Sequence, residues 1–188
     1  MTGKRTVRLA DFDNAWYDPG RSRFIRAVWL VVGRIFLESS LPWPYRFKAW
    51  LLRLFGARIG AGVVLKNRVV VKYPWNLEIG DHTWIGEAVW IDSLASVTIG
   101  SNCCLSQGVM IETGNHDWSK ETFDLVVKPV VVEDGGWAAV RSTLLPGSRL
   151  ASHAILGAGA VLAGSTDPYG IYAGVPAVWV KERRIGGG

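Results

Sequence analysis

The sequence predicts an all-β protein, a parallel β-helix entered through a helical segment, and three observations predict it. Counting in sixes from Val132 gives Val132, Ala138, Leu144, Leu150, Leu156 and Leu162, all apolar. Four residues after each come Gly136, Ser142, Ser148, Ala154, Ala160 and Thr166, all small. The same beat runs upstream through Ile79, Ile85 and Ile91, with Thr83, Val89 and Ala95, and after a two-residue slip through Ile99, Leu105 and Ile111, with Cys103 and Val109. A period of six matches neither the helical repeat nor simple alternation along a long strand. It matches short strands joined by corners, three to a coil of about eighteen residues, with the aliphatic position inside and the small one where the chain turns tightly.

In chain order, residues 1–56 form a leader and residues 57–188 the β-helix domain, with an excursion at 112–129 and a short C-terminal extension. The leader "RSRFIRAVWLVVGRIFLESSLPWPYRFKAWLLRLFG" divides at "LPWP" into two helices. The second is expected to set Phe47, Trp50, Leu51, Leu54 and Phe55 on one face, with Arg46, Lys48 and Arg53 around it. The apolar run from Ala27 to Val32 is bounded by Arg26 and followed by Arg34. It falls far short of the roughly twenty residues that span a bilayer. A polar start and the lack of a small-residue cleavage site also exclude a secretory signal. Two uses of the leader stay open: a cap on the open end of the solenoid, or an interfacial helix pair on the anionic cytoplasmic leaflet, which would suit an acceptor carried on a lipid. Coils then begin weakly at Ile59, Leu65 and Val71 and continue to Asp167. Each fully buried Leu, Ile or Val contributes about 1.5–3 kcal/mol, enough in a continuous column to hold coils that touch only their neighbours.

Charge and cysteine usage narrow the function. The formal net charge is +5, and the basic residues gather at Arg21–Arg26, Arg46–Arg53 and Lys181–Arg184 rather than along the repeats, so no nucleic-acid partner is expected. Cys103 and Cys104 are adjacent, and a disulfide between neighbours is strained. They point to a reducing, cytoplasmic compartment. No metal site is expected: cysteine spacing of the metal-binding type is missing, and His82, His116 and His153 are widely separated.

One stretch breaks the rhythm, "ETGNHDWSKETFDLVVKP" from Glu112 to Pro129. The count puts His116 at the last position of the hexad that starts at Ile111, facing out of the coil. A β-helix wall is smooth, so an excursion beside an outward histidine is where a pocket can be built on a rigid base. Imidazole suits a general base, because its unperturbed pKa near 6.5 leaves it neutral and basic at cytoplasmic pH. Trp84 and Trp90 fall on the same outward hexad position, Trp118 follows, and Asp92 is the nearby carboxylate. Aromatic faces at such positions serve sugar stacking or interface packing.

The segments "LEIGDHTWIGEAVWI", "VTIGSNCCLSQGVMI", "LLPGSRLASHAILGAGAVL" and "YAGVPAVWV" resemble the hexapeptide-repeat acyltransferases. The leader, "RLFGARIG", "YPWNLEIGD" and "TGNHD" are most similar to the colanic-acid-type exopolysaccharide O-acetyltransferases and more distantly to galactoside and maltose acetyltransferases. The resemblance implies a left-handed β-helix, a homotrimer, and direct acetyl transfer from acetyl-CoA to a sugar or glycan hydroxyl without an acyl-enzyme. It implies that His116 removes the acceptor's proton, with Asp117 or Glu112 orienting the ring. It further implies that acetyl-CoA lies in a groove between neighbouring subunits, received by Ala139 and Val140 after Trp137 and by Ala158. In "GVPAVWVK" Val178 stands where the family commonly has a basic residue, which shifts the phosphate contacts to Lys181, Arg183 and Arg184. The rival expectation is a non-catalytic scaffold in polysaccharide assembly.

Overall fold

The computed structural model describes residues 5–186; the outermost positions of the leader and the tail lie outside them. The hexads fold as expected. Strands of two or three residues, such as Leu77–Ile79, Trp84–Ile85 and Trp90–Asp92, build one coil with three faces. Stacked coils pair into sheets of five, seven and five strands, parallel throughout except for the last pair of the seven-stranded sheet; we call them the first, second and third faces in chain order. Ile79, Ile99, Val132 and Leu150 stack inside the first face, Leu65, Ile85, Leu105, Ala138 and Leu156 inside the second, and Val71, Ile91, Ile111, Leu144 and Leu162 inside the third. All are buried, and their column is the core.

The small inward positions hold with one exception. Thr83, Val89, Cys103, Val109, Ser142, Ser148, Ala154, Ala160 and Thr166 are buried, but Ala95 is not. Ser93 and Thr113, two residues after Ile91 and Ile111, are the fully buried small residues there. The reason is the corner between the third and first faces, which is longer in the early coils and produces the slip in the count. It holds the short turn Pro74–Asn76 in one coil, Leu94–Ser96 in the next, and the long excursion in the third.

The leader forms α1 (Arg23–Phe36) and α2 (Tyr45–Leu54). Ser22 caps α1 through its hydroxyl, which accepts from the Ile25 N–H, and Pro44 precedes α2. The expected face of α2 is corrected. Its buried stripe is Lys48, Ala49, Leu51 and Leu52, whereas Trp50 and Leu54 are exposed. The first coil explains the choice, because it has a neighbour on one side only and its outer carbonyls need donors. Each inward residue of that coil receives one from the leader. Arg53 Nε donates to Ile59 O at 2.9 Å, Lys48 Nζ to Leu65 O at 3.3 Å, and Trp29 Nε1 to Val71 O at 2.8 Å. Lys48 Nζ also reaches Lys66 O at 3.0 Å and Asn67 Oδ1 at 2.8 Å, and Arg53 Nη2 reaches Gly60 O at 2.8 Å. Burial, and then the nearby Lys66 charge, push the Lys48 ammonium below the usual lysine range. Two of the three cations set on the rim of α2 by the sequence pattern are therefore structural. The outward side of α1 stays apolar, with Phe24, Val31 and Ile35 exposed.

Candidate active site

The excursion leaves the wall as an antiparallel hairpin. Gly114–His116 pairs with Leu125–Val127, setting Gly114 opposite Val127 and His116 opposite Leu125. At the corner Thr113 turns inward, and Gly114 passes against the end of the Leu94 side chain, which a Cβ at 114 would displace. This corrects the expected placement of His116. The histidine is lifted off the wall and does not share the outward position of Trp84 and Trp90.

Phe123 holds the imidazole twice. His116 Nδ1 is 2.8 Å from Phe123 O, and the two rings stack at 4.4 Å between centroids and 6° between planes. A carbonyl only accepts, so Nδ1 carries the proton and Nε2 presents its lone pair. Phe123 adopts a φ of 51°, unusual for a bulky residue, and this turn directs both its ring and its carbonyl at His116. Neither expected carboxylate orients the ring. Asp117 Oδ1 accepts from the Ser119 N–H at 3.0 Å and the Ser119 hydroxyl at 2.5 Å, which hold its carboxyl below the usual range. Glu112 lies on the third face in register with Asp92, which pairs with Lys72 at 2.9 Å. Sequence spacing could not reveal Phe123, since the group that orients the ring is a backbone carbonyl.

Burial, and then the Asp92 charge, raise the pKa of Glu112. Between the ordinary carboxylate pKa and the raised folded value the native state binds more protons than the unfolded chain, so this group's contribution to stability is lost as pH rises through that window. Glu112→Gln is thus expected to melt above the parent at pH 7, with the gap closing as pH falls to the ordinary glutamate range. Calorimetry across that range checks it, and a variant that melts at or below the parent at pH 7 refutes it.

The residues expected at the cofactor gather in part. Val140 and Ala158 occupy equivalent places in successive coils at the corner between the second and third faces, and among the described residues their N–H groups have no protein partner. Ala139 differs: its N–H donates to Leu156 O at 2.8 Å and serves the coil itself. Trp137 is exposed on the second face, where Nε1 donates to Ser106 Oγ at 3.0 Å. The tail strand Val178–Glu182 runs antiparallel to Gly170–Ala173 and extends that face. Trp137, Ile155, Ile171, Lys181, Arg183 and Arg184 surround a concavity of about 570 Å³. Arg183 has a second task there, since Nη1 donates to Gly135 O and His153 O, both at 3.0 Å, and ties the tail to the coils.

The four residues expected at the acceptor are not all brought together. Trp90 and Asp92 line a cleft of about 410 Å³ between the third face and α1, with Arg26, Leu30, Lys72 and Tyr73. Trp84 lies on the second face, and Trp118 is exposed on the excursion. His82 and His153 sit at the corner between the first and second faces, with φ values of 56° and 57°, away from the hairpin.

No family model matches the sequence. The chain is 34% identical over 164 residues to the colanic acid biosynthesis acetyltransferase WcaF of Escherichia coli K12, a match covering 87% of this chain and 90% of the relative. It is 23% identical over 148 residues to the galactoside O-acetyltransferase of the same organism, covering 77% and 73%. Among solved structures, the hexapeptide-repeat acetyltransferase VCA0836 of Vibrio cholerae complexed with acetyl coenzyme A aligns with a TM-score of 0.77 at 22% identity, over 88% of this chain and 92% of that one. A galactoside acetyltransferase in complex with coenzyme A aligns with a TM-score of 0.78 at 21% identity, over 86% and 82%. The structures establish the fold, a left-handed parallel β-helix. With the WcaF match, the chain belongs to the hexapeptide-repeat acetyltransferases.

Proposed function

We propose that the protein is an acetyl-CoA-dependent O-acetyltransferase acting on a sugar hydroxyl in exopolysaccharide or surface-glycan biosynthesis. The observation that carries this reading is the contact of His116 Nδ1 with Phe123 O, which assigns the proton to Nδ1 and leaves Nε2 to act as the base. His116 Nε2 takes the acceptor hydroxyl's proton as that oxygen bonds to the thioester carbonyl carbon. The carbon–sulfur bond then breaks, and His116 returns the proton to the departing thiolate. General-base help of this kind is worth about 10²–10⁴-fold. The free N–H groups of Val140 and Ala158 fit a pantetheine arm, and Lys181 and Arg184 fit its phosphates. The names of WcaF and the galactoside enzyme support a sugar acceptor.

The hairpin and the Val140–Ala158 corner lie at two different corners of the prism, with the third face between them. A homotrimer would join one subunit's corner to its neighbour's hairpin and complete the site. Mass spectrometry of surface polysaccharide from cells with and without the gene tests the function. Loss of an acetyl group from one sugar supports it, and an unchanged polymer of normal acetylation refutes it. A non-catalytic scaffold would instead change the amount of polymer and leave its acetylation alone.

A second reading rests on the exposed apolar side of α1, with Arg23 exposed at the start of that helix and Arg46 exposed at the start of α2. Among the described residues no helix is long and apolar enough to cross a membrane. The stripe fits reversible contact with the anionic inner face of the membrane from the cytoplasm, each basic residue contributing on the order of 1 kcal/mol. Since Lys48 and Arg53 are engaged in the cap, Arg23 and Arg46 are the residues to change. The protein is expected to float with anionic vesicles at low salt and to leave them at high salt, where screening is stronger. Arg23→Gln/Arg46→Gln should weaken flotation and spare acetyl-CoA affinity. A protein indifferent to anionic vesicles at low salt would make the leader a cap alone.

A further inference from the structure

Ahead of α1 the chain crosses the excursion that carries His116. The Arg8 N–H donates to Glu121 O at 2.8 Å, and Arg8 Nη2 pairs with Glu121 Oε2 at 3.0 Å. Further on, the Tyr17 hydroxyl donates to Leu94 O at 2.8 Å, beside the point where Gly114 leaves the wall. The segment is thus pinned to the excursion at one end and to its root at the other. Between the two pins lies Phe12, half-buried, with its ring centroid 5.5 Å from that of His116 and its plane tilted by 58°.

We infer that this N-terminal arm is part of the catalytic apparatus and that Phe12 is a positioning residue, holding the His116 imidazole against Phe123. The inference rests on the proposed role of His116 as the base. Phe123 stacks flat on the imidazole, and a flat stack resists tipping but leaves sliding within the plane open. A second ring set at 58° meets the imidazole from another direction and opposes that motion. The hydrogen bond to Phe123 O fixes the proton on Nδ1, and the two rings together fix where Nε2 points. Such placement matters for rate, because a displacement of about 1 Å at a reacting group can cost about a hundredfold.

The test is steady-state kinetics on Phe12→Ala, Phe12→Leu, Phe12→Tyr, His116→Ala and the Phe12→Ala/His116→Ala double variant. We expect Phe12→Ala to lower kcat by about ten- to a hundredfold with KM for acetyl-CoA unchanged, and Phe12→Tyr, which keeps the ring, to retain most of the turnover. The double variant should be no slower than His116→Ala, since Phe12 acts only through the imidazole. Should Phe12→Ala fail to fold, Phe12→Leu keeps bulk without a ring and takes its place in the comparison. Parental kcat in Phe12→Ala, or in Phe12→Leu where it stands in, or a double variant that adds the whole Phe12 loss to that of His116→Ala, overturns the inference and leaves His116 as the base. Parental turnover in His116→Ala overturns both.

Discussion

His116→Ala is expected to lower turnover by about 10²–10⁴-fold while the protein stays folded and still binds acetyl-CoA. The size follows from the chemistry lost, since an acceptor hydroxyl attacking a thioester must shed its proton and no other histidine lies on the hairpin. The folding claim follows from where the ring sits. His116 is on a two-stranded excursion outside the aliphatic column, so its loss removes one hydrogen bond to a carbonyl and two aromatic contacts without opening the core. Aromatic pairs of this kind are worth about 0.5–1.5 kcal/mol each, tolerable for a domain with this much buried aliphatic surface. Calorimetric titration with acetyl-CoA, a thermal melt and single-turnover transfer separate the three claims. Full turnover in the variant would remove the base from the mechanism and favour the scaffold.

The largest effect on stability is expected at Lys48. Lys48→Met keeps the length of the side chain but removes all three donors, leaving Leu65 O, Lys66 O and Asn67 Oδ1 without their partner at the end of the solenoid. Hydrogen bonds to charged groups contribute about 1.5–3 kcal/mol each. Relief from burying an ammonium offsets part of that sum, so the net loss should be on the order of 3 kcal/mol. For a chain of this size that corresponds to a melting point lower by about 6–12 °C. Arg46→Gln, at an exposed position of the same helix, is the control and should move stability by no more than about 0.5 kcal/mol. A Lys48→Met protein that melts with the parent would mean water replaces the ammonium at no cost and that α2 caps by apolar contact alone.

Most of the architecture was legible because the repeat is a local property. Whether Ile85 or Leu105 points inward is set by its place within six residues, and each coil presents its neighbour with the same pattern, so no long-range information is needed. The slip before Ile99 was visible too, although only the folded chain shows that it marks the corner from which the excursion springs. His116 stood out as a histidine at a break in the rhythm, whereas Val140 and Ala158 were singled out only through the resemblance to the acyltransferases.

What the sequence determined by itself, then, is the solenoid, its inward column and the position of its one long interruption. Tertiary structure decided the rest, wherever a group's partner is a distant backbone atom or a distant ring. The buried side of α2 was chosen by the unpaired carbonyls of the first coil, which drew in Lys48 and Arg53 against the apolar pattern of the helix. The group that orients His116 is the Phe123 carbonyl rather than a carboxylate, and carbonyls are present at every position and leave no mark in a sequence. Phe12 reaches the imidazole only because the chain doubles back over the excursion and is pinned at Glu121 and Leu94. A periodic pattern encodes the contacts that recur; contacts made once, between segments far apart in the chain, depend on geometry that exists only after folding.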